Sequence, residues 1–305
     1  TRVYFPDKAE NTLNLILGYE DSAGVLSDDN YFGSTIGRYG NRIAHGRFQL
    51  DGSTHQLACN DGKNHLHGGG AGFNKKVWDI ADVGDCSVTF ACMSPDGEEG
   101  YPGNLSVEVT YSLTKDNELI IDYRAQTDAA TPLNLTNHTY WNLAGAGSGN
   151  VLDHLVTLHC EHYLPVDEEL LPTGEVAQVA GTPFDFRTPN KVGSRISQVD
   201  GGYDHCFVQA NETLGEPRAL AKVEDLESGR MMTVLTTEPG VQFYSGNFLD
   251  GVQGIDGSVY GKHGAFCLEA QHFPDSPNQP NFPNTILSPG VNYQQKTVHR
   301  FSISD

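Results

Sequence analysis

The sequence predicts an all-β fold, a large antiparallel β-sandwich, from three observations. Glycine and proline are frequent, with 34 and 15 residues in a chain of 305. No long stretch of the sequence spaces its apolar residues as an amphipathic helix would. Several segments instead alternate apolar and polar residues, which places one face of a strand in the core. Many strands joined by turns are typical of sandwiches and barrels.

The clearest predicted strands lie in the middle of the chain. Apolar residues alternate with polar ones from Ser106 to Leu113, and residues 115–117 then read as a turn. Residues 119–126 alternate in the same way, so the two segments predict an antiparallel hairpin. Leu133 and Leu135 lead a third predicted strand towards His138.

A second hairpin is predicted from Ala219 to Thr236, with its turn at residues 227–229. Further strands are predicted at Val151–His159 and Ala265–Gln271. Four prolines between residues 274 and 283 predict an irregular loop after the last of these. No repeat, linker or composition change divides the chain, so we expect one domain over residues 1–305.

The charge balance disfavours anionic partners. The chain has 39 Asp and Glu residues against 19 Lys and Arg residues, a formal net charge of -20. Such a surface repels nucleic acids and anionic membranes, so a small neutral ligand fits better. Six cysteines without a Cys-x-x-Cys pair predict free core thiols in a reducing compartment. With no signal peptide at the start and no membrane-length apolar run, we expect a cytoplasmic protein.

Glu269 follows Phe266–Leu268, an apolar segment that predicts a buried strand. A carboxylate beside such a strand is costly unless it is paired or used in chemistry. On position alone, a salt-bridged glutamate and a catalytic base are equally good readings.

His138 lies in a polar and aromatic string after an apolar strand. An isolated histidine there is more simply a hydrogen-bonded core residue. The neighbours Tyr140 and Trp141 favour a site, because their faces can cover the apolar C–H surface of a sugar. Imidazole also exchanges protons near neutral pH.

His65 and His67 would share one face of an extended strand. With His138, His205 and His272 they make a metal site imaginable, but the spacing matches no zinc signature. We therefore predict no metal.

Arg42, Asp204 and Gln242 are ambiguous by themselves, since each suits either sugar hydroxyls or an ordinary surface or loop role. The adjacent Tyr203 and Phe243 favour the sugar reading. No Gly-x-Ser-x-Gly string supports a hydrolase triad.

Taken together, these strings resemble the motifs of the aldose 1-epimerase family, the galactose mutarotases. The resemblance runs from about Asn30 to Phe301 and keeps the order of six motifs. They are Gly37–Ile43, Asn64–Gly69, Asn134–Leu143, Tyr203–Phe207, Pro239–Asn247 and Leu268–Pro277.

The resemblance implies the family's large antiparallel β-sandwich, a monosaccharide substrate, and no metal or organic cofactor. It implies Glu269 as general base, His138 as general acid and His67 as a second active-site histidine that also contacts substrate. The remaining implied substrate-binding residues are Arg42, Asp204 and Gln242, with Asn41 and Tyr140 nearby. Two features depart from the family pattern. Ala270 stands where threonine is expected, and members usually carry more residues before the strand near Arg2, so the first hairpin is expected to be short.

The implied reaction interconverts the α and β anomers of free hexoses such as galactose and glucose. Glu269 would act ionised and His138 protonated, and their opposite charges should lower the first pKa and raise the second. Three alternatives stay open: an epimerase of a phosphorylated hexose, which needs a cationic cluster, a non-catalytic sugar-binding module, and a glycosidase with two carboxylates. The preferred hexose and the oligomeric state are not predicted.

Overall fold

The computed structural model describes residues 2–209 and 215–304. Its regular structure is almost entirely strand. In chain order the first strands are β1 (Tyr4–Pro6), β2 (Thr12–Asn14), β3 (Ser34–Ile36), β4 (Arg42–Ile43), β5 (Arg47–Leu50), β6 (Ser53–Gln56), β7 (His65–Leu66), β8 (Asp79–Val83), β9 (Ser87–Ser94), β10 (Leu105–Leu113), β11 (Glu118–Thr127), β12 (Thr131–Pro132), β13 (Thr136–His138) and β14 (Tyr140–Trp141). The remaining strands are β15 (Leu155–Leu158), β16 (Cys160–Tyr163), β17 (Ala177–Gln178), β18 (Asn190–Lys191), β19 (Asp204–Gln209), β20 (Arg218–Glu224), β21 (Arg230–Thr236), β22 (Gly240–Tyr244), β23 (Val252–Gln253), β24 (Val259–Tyr260), β25 (Phe266–Gln271), β26 (Ile286–Leu287) and β27 (Tyr293–Ile303).

Helical structure in the described residues is confined to short segments. The α-helix α1 spans Ser22–Leu26, and the side chain of Asp21 caps it by accepting from the main-chain N–H of Gly24. Single 3₁₀ turns lie at Ala44–Gly46, Phe73–Lys75, Glu98–Gly100, Val192–Ser194, Ile196–Gln198, Ile255–Gly257 and Ser276–Asn278. No helix in this part of the chain is long and apolar enough to cross a membrane.

Two large sheets organise the fold. The first has nine strands in the order β18-β15-β20-β21-β27-β11-β10-β9-β8, and the second has six in the order β14-β25-β22-β19-β16-β17. Six further strand pairs form small two-stranded sheets. Every pairing between these strands is antiparallel. The prediction of an all-β, antiparallel architecture is confirmed.

The two large sheets share one apolar core. Val234 of β21 and Phe301 of β27 contribute from the nine-stranded sheet, and Phe243 of β22 and Leu268 of β25 contribute from the six-stranded sheet. Since side chains alternate along a strand, the residues between these core positions point to the outer face of the six-stranded sheet. That outer face carries the candidate site.

Both predicted hairpins are confirmed. Strands β10 and β11 pair from Leu105 with Thr127 to Leu113 with Leu119, and β20 pairs with β21 around the turn at residues 227–229.

The strand predicted at Val151–His159 was too long, since β15 covers only Leu155–Leu158. The preceding residues turn, and the ring Nε2 of His154 accepts from the main-chain N–H of Leu143. The strand predicted through Leu133 and Leu135 is also interrupted. Asn134 forms an isolated bridge with Tyr39 instead of pairing within β12 or β13.

All six cysteines are free. Cys160, Cys206 and Cys267 are buried, as expected for core thiols, but Cys59 and Cys86 are exposed. The expectation of core burial was therefore wrong for these two.

Candidate active site

Glu269 lies on β25, the second strand of the six-stranded sheet, between β14 and β22. Its neighbours in sequence, Leu268 and Ala270, are buried, and the carboxylate leaves the strand on the side opposite the Leu268 core position. The register pairs Glu269 with Gln242 of β22. This carboxylate is 2 % exposed, so it is buried on a strand whose two faces are both covered.

Asp204 extends the same polar row. Gln242 Nε2 donates to Asp204 Oδ1 at 2.7 Å, which ties β22 to β19. Gln242 Oε1 and Glu269 Oε2 are buried and have no hydrogen-bond partner within residues 2–209 and 215–304. Unsatisfied buried acceptors are costly, and they are expected where a ligand or water completes the site.

The small sheet of β4 and β7 places three further residues over this row. Arg42 begins β4, Asn41 directly precedes that strand, and His67 directly follows β7. The backbone of His67 has a φ of 52°, so the chain leaves the strand there. Gly68 is required next, because it has a φ of +86° and an added Cβ would lie 1.8 Å from the Gly37 carbonyl oxygen.

This backbone reversal separates two histidines that were expected to share a face. His65 is buried elsewhere, with Nδ1 2.6 Å from the Ala58 carbonyl and Nε2 2.7 Å from the Tyr101 hydroxyl. His67 alone turns into the site. The expectation assumed a continuous extended strand, and the positive φ at His67 breaks it.

The protonation state of His67 is fixed by its surroundings. The main-chain N–H of Asn41 donates to His67 Nδ1 at 3.1 Å. Nδ1 must therefore carry the lone pair, and the ring hydrogen resides on Nε2. Burial lowers the pKa of His67 well below its ordinary value, and the neighbouring His138 and Arg42 lower it further. His67 is a neutral donor through Nε2.

His138 ends β13 and faces the carboxylate. Its Nε2 lies 3.6 Å from Glu269 Oε1. Tyr140 stacks on the imidazole with ring centroids 5.0 Å apart, and Tyr31 stacks at 5.7 Å. The His67 ring meets it edge-on at 5.2 Å. These contacts hold the imidazole with one edge towards Glu269.

The pKa values of the pair shift opposite to the expectation from their charges. Burial raises the pKa of Glu269 well above its ordinary value, and Asp204 raises it further, whereas Arg42 lowers it. Burial lowers the pKa of His138 to about 4, although a hydrogen bond to its own main-chain carbonyl partly raises it. The penalty for burying both charges exceeds the benefit of their proximity. A single proton shared by the pair therefore rests on Glu269 rather than on His138.

Arg42 brings a positive charge to this cluster, and it acts on both Glu269 and Asp204. Its Nε donates to Asp61 Oδ2 at 2.8 Å. Burial raises the pKa of Asp204, and Arg42 and the Gln242 hydrogen bond oppose that rise. A guanidinium and a carboxylate that face one cleft can hold neighbouring sugar hydroxyls as donor and acceptor.

An open cleft of about 460 Å³ lies over these residues. Seven of the eight predicted site residues line it: Asn41, Arg42, His67, His138, Tyr140, Asp204 and Glu269. Gln242 lies beneath Asp204, to which it donates.

The sequence reasoning missed several cleft residues. Tyr31, Tyr244 and Phe248 supply aromatic walls, and Phe248 is 68 % exposed at the rim. Acidic rim residues were missed too; they are Asp29, Asp61, Glu168 and Glu169. Tyr244 lies within the motif Pro239–Asn247, but nothing in the sequence distinguished Tyr31 or the rim carboxylates.

Three aromatic residues expected near the sugar belong to the core instead. Trp141, Tyr203 and Phe243 are all packed between the two sheets. Trp141 is adjacent to Tyr140 on β14, so the two side chains must leave opposite faces of the strand. Only Tyr140 faces the cleft.

His67, His138 and Glu269 form a group of possible metal ligands, with their ligand atoms within 4.8 Å of one another. His67 does not suit that role. Its Nε2 carries the hydrogen, and moving it to Nδ1 would set two donors, the ring and the Asn41 N–H, against each other. His205 and His272 lie elsewhere; His272 pairs with Glu238 at 2.6 Å. That no metal takes part stays a prediction.

A larger groove of about 1030 Å³ runs along β9, β10 and β11. Its lining is mainly apolar and includes Phe73, Trp78 and Phe90. Neither Glu269 nor His138 lines it, so the smaller cleft is the candidate active site.

Comparison with known proteins agrees with this geometry. The family model for aldose 1-epimerase matches residues 1–300. The chain belongs to the aldose 1-epimerase family. A human galactose mutarotase is 48% identical over 306 residues, covering 100% of this chain and 88% of that protein. The aldose 1-epimerase of Escherichia coli K12 is 41% identical over 290 residues, covering 93% of this chain and 82% of that protein.

Solved structures of aldose 1-epimerase relatives have the same architecture. An aldose epimerase homologue from C. elegans superimposes with a TM-score of 0.93 at 30% identity, covering 100% of this chain and 93% of that one. A galactose 1-epimerase from Lactobacillus acidophilus gives a TM-score of 0.83 at 28% identity, covering 96% and 86%. The chain is thus an isomerase of this family with the predicted mutarotase-like sandwich.

Proposed function

We propose that this aldose 1-epimerase family member interconverts the α and β anomers of a free hexose such as galactose or glucose. One observation carries the proposal: a buried glutamate and a buried histidine face each other at 3.6 Å in an open cleft. Ring opening of a sugar requires one group that accepts a proton and one that donates a proton, with no net proton exchange.

The reaction uses the two groups in turn. Transfer of the shared proton from Glu269 to His138 gives the carboxylate and the imidazolium. Glu269 takes the proton from the anomeric hydroxyl while His138 Nε2 protonates the ring oxygen. The bond from the anomeric carbon to the ring oxygen breaks, and a carbonyl forms at that carbon. Rotation about the C1–C2 bond presents the other carbonyl face, and the same steps in reverse close the ring and restore both groups.

The surrounding residues suit binding and orientation. Arg42 and His67 donate hydrogen bonds, Asp204 accepts them, and Asn41 fixes the His67 tautomer through its main chain. Tyr140 presents an aromatic face in the cleft wall, where the C–H surface of a hexose can pack. Gln242 orients Asp204 from beneath and has a free acceptor oxygen.

The charge of the cleft disfavours a phosphorylated substrate. Among the residues that the structure describes, Arg42 is the one Lys or Arg in the lining, and it already pairs with Asp61. Carboxylates at Asp29, Glu168 and Glu169 share the rim. A phosphate dianion there would meet like charges without the cationic cluster that it needs.

Polarimetry separates the proposed function from its alternatives. Freshly dissolved α-galactose and α-glucose should each mutarotate faster with the protein than without it. A hexose 6-phosphate should show little acceleration, and a methyl galactoside should stay intact because it lacks the anomeric hydroxyl. Acceleration of the phosphate alone, hydrolysis of the glycoside, or binding without acceleration would each point to one of the alternatives.

We also propose that residues 1–305 form a single domain, which the shared core of the two large sheets supports. The six free cysteines support a reducing compartment, and we propose the cytoplasm.

A further inference from the structure

A buried thiol lies against the imidazole of His138 on the edge remote from Glu269. Cys267 Sγ is 3.6 Å from His138 Nδ1, and the opposite ring nitrogen, Nε2, is 3.6 Å from Glu269 Oε1. Cys267 and Glu269 are two residues apart on β25, so both side chains leave the same face of the strand, about 7 Å apart. One strand thus contacts both nitrogens of the imidazole.

The thiol stays protonated and uncharged. Burial raises the pKa of Cys267 well above its ordinary value, and the nearby Glu269 and Asp204 raise it further. A neutral thiol is a weak acceptor and a weak donor. The sulfur can therefore orient the ring without adding the negative charge that a carboxylate partner would bring.

The proton cycle requires one particular tautomer. After His138 gives its Nε2 proton to the sugar, the neutral ring must keep its hydrogen on Nδ1, or Nε2 could not take the proton back. An acceptor beside Nδ1 favours that form. The Cys267 sulfur lies there, and the main-chain carbonyl of His138 is a second acceptor for the ring.

We propose that Cys267 is a positioning residue for the general acid: its sulfur accepts the Nδ1–H of His138 and keeps Nε2 free for the cleft. The hydrogen bond is present in both the neutral and the protonated ring, so the cycle requires no rearrangement behind the histidine. A weak, uncharged acceptor also leaves His138 a strong acid, since it stabilises the imidazolium little. The catalytic consequence rests on the proposed function, whereas the tautomer does not.

The test replaces the thiol and compares it with a matched buried cysteine. Cys267→Ala removes the acceptor, and Cys267→Ser restores a polar atom that accepts more strongly. Cys160→Ala is the control, because Cys160 is also buried but belongs to the core between the two large sheets.

Cys267→Ala should lower kcat about tenfold, short of the roughly 10²-fold cost of a ~1 Å misplacement, and leave KM within about twofold. Cys267→Ser should recover most of kcat and move the acid limb of the pH profile to higher pH. The imidazole also faces Glu269, His67, Tyr31, Tyr140 and Tyr244. Because these residues are the same in all variants, a shift of the acid limb can be assigned to position 267. Cys160→Ala should match wild type in both respects.

Nitrogen-15 NMR of the histidine rings gives a second readout. It should show His138 as the Nδ1–H form in wild type and as a tautomer mixture in Cys267→Ala. If Cys267→Ala keeps full kcat and an unchanged His138 spectrum, or if Cys160→Ala loses as much activity, Cys267 only fills space and the proposal is overturned. Absence of mutarotation in wild type would contradict the proposed function, and the NMR tautomer would still decide the role of Cys267.

Discussion

The pH profile of kcat/KM follows from the one-proton pair of Glu269 and His138. The active enzyme has one proton on the pair, so activity falls when a second proton enters and when the last one leaves. The second proton enters at His138, whose pKa lies at about 4. The last proton leaves Glu269, whose pKa is raised well above its ordinary value. The acid limb therefore belongs to the histidine and the alkaline limb to the glutamate, the reverse of the assignment expected from unburied groups.

The size of the effect follows from the position of the acid limb. With the histidine pKa at about 4, the one-proton form makes up about nine-tenths of the enzyme at pH 5. A histidine with its ordinary value near 6.5 would leave about 3% in that form. The two cases differ about thirtyfold at pH 5.

The profile is measured by polarimetry from pH 3.5 to 9, with the uncatalysed rate subtracted at each pH. At pH 5 we expect kcat/KM to remain above about four-fifths of its plateau value. The acid limb should vanish in His138→Asn. A tenfold loss for each pH unit below 6.5 would refute the claim that burial controls the protonation of the pair. An acid limb retained in His138→Asn would assign the limb to another group.

Three other predictions follow from the site. Exhaustive chelation with EDTA should leave mutarotation unchanged, and loss of activity that a divalent ion restores would establish a metal requirement. His67→Gln keeps a neutral donor, so kcat/KM should fall only about tenfold, the value of roughly one hydrogen bond, with both pH limbs unmoved; a moved limb would mean that His67 titrates. Gly68→Ala should lower the free energy of unfolding by about 2–5 kcal/mol, because residue 68 has a left-handed φ and the added Cβ would clash with Gly37. Gly70→Ala is the control, since a Cβ at Gly70 would have no described atom within 4 Å. Its free energy of unfolding in urea should change by less than about 0.5 kcal/mol. Equal effects of the two glycine variants would contradict the backbone argument.

Strand periodicity predicted the parts of the fold whose pattern is local. The hairpin of β10 and β11 was visible because alternating residues from Ser106 to Leu113 have one face in the core. The interruption of the strand through Leu133 was not visible in the sequence, because it arises where Asn134 donates to the main-chain oxygens of Gly40 and His272 across the fold. Such long-range hydrogen bonds interrupt a strand without changing its local pattern.

The candidate site was predicted through its motifs, and its electrostatics were not. Motif order identified Glu269, His138 and their neighbours, seven of which line the cleft. The direction of the pKa shifts depends on burial, and no sequence pattern gives the exposure of a side chain. The sequence did contain one decisive fact that was overlooked: Tyr140 and Trp141 are adjacent on a strand, so only one of them can face the sugar.

The central claim is that Glu269 and His138 together catalyse mutarotation, and Glu269→Gln tests it most directly. The amide keeps the size of the side chain but cannot take the anomeric proton. Freshly dissolved α-galactose should mutarotate rapidly with wild-type protein, and the variant should lose at least ~10²-fold in kcat. Calorimetric titration should show that the variant still binds galactose, and circular dichroism that it is folded. A folded, galactose-binding variant that retains more than about a tenth of the wild-type kcat would contradict the assignment of Glu269 as the base.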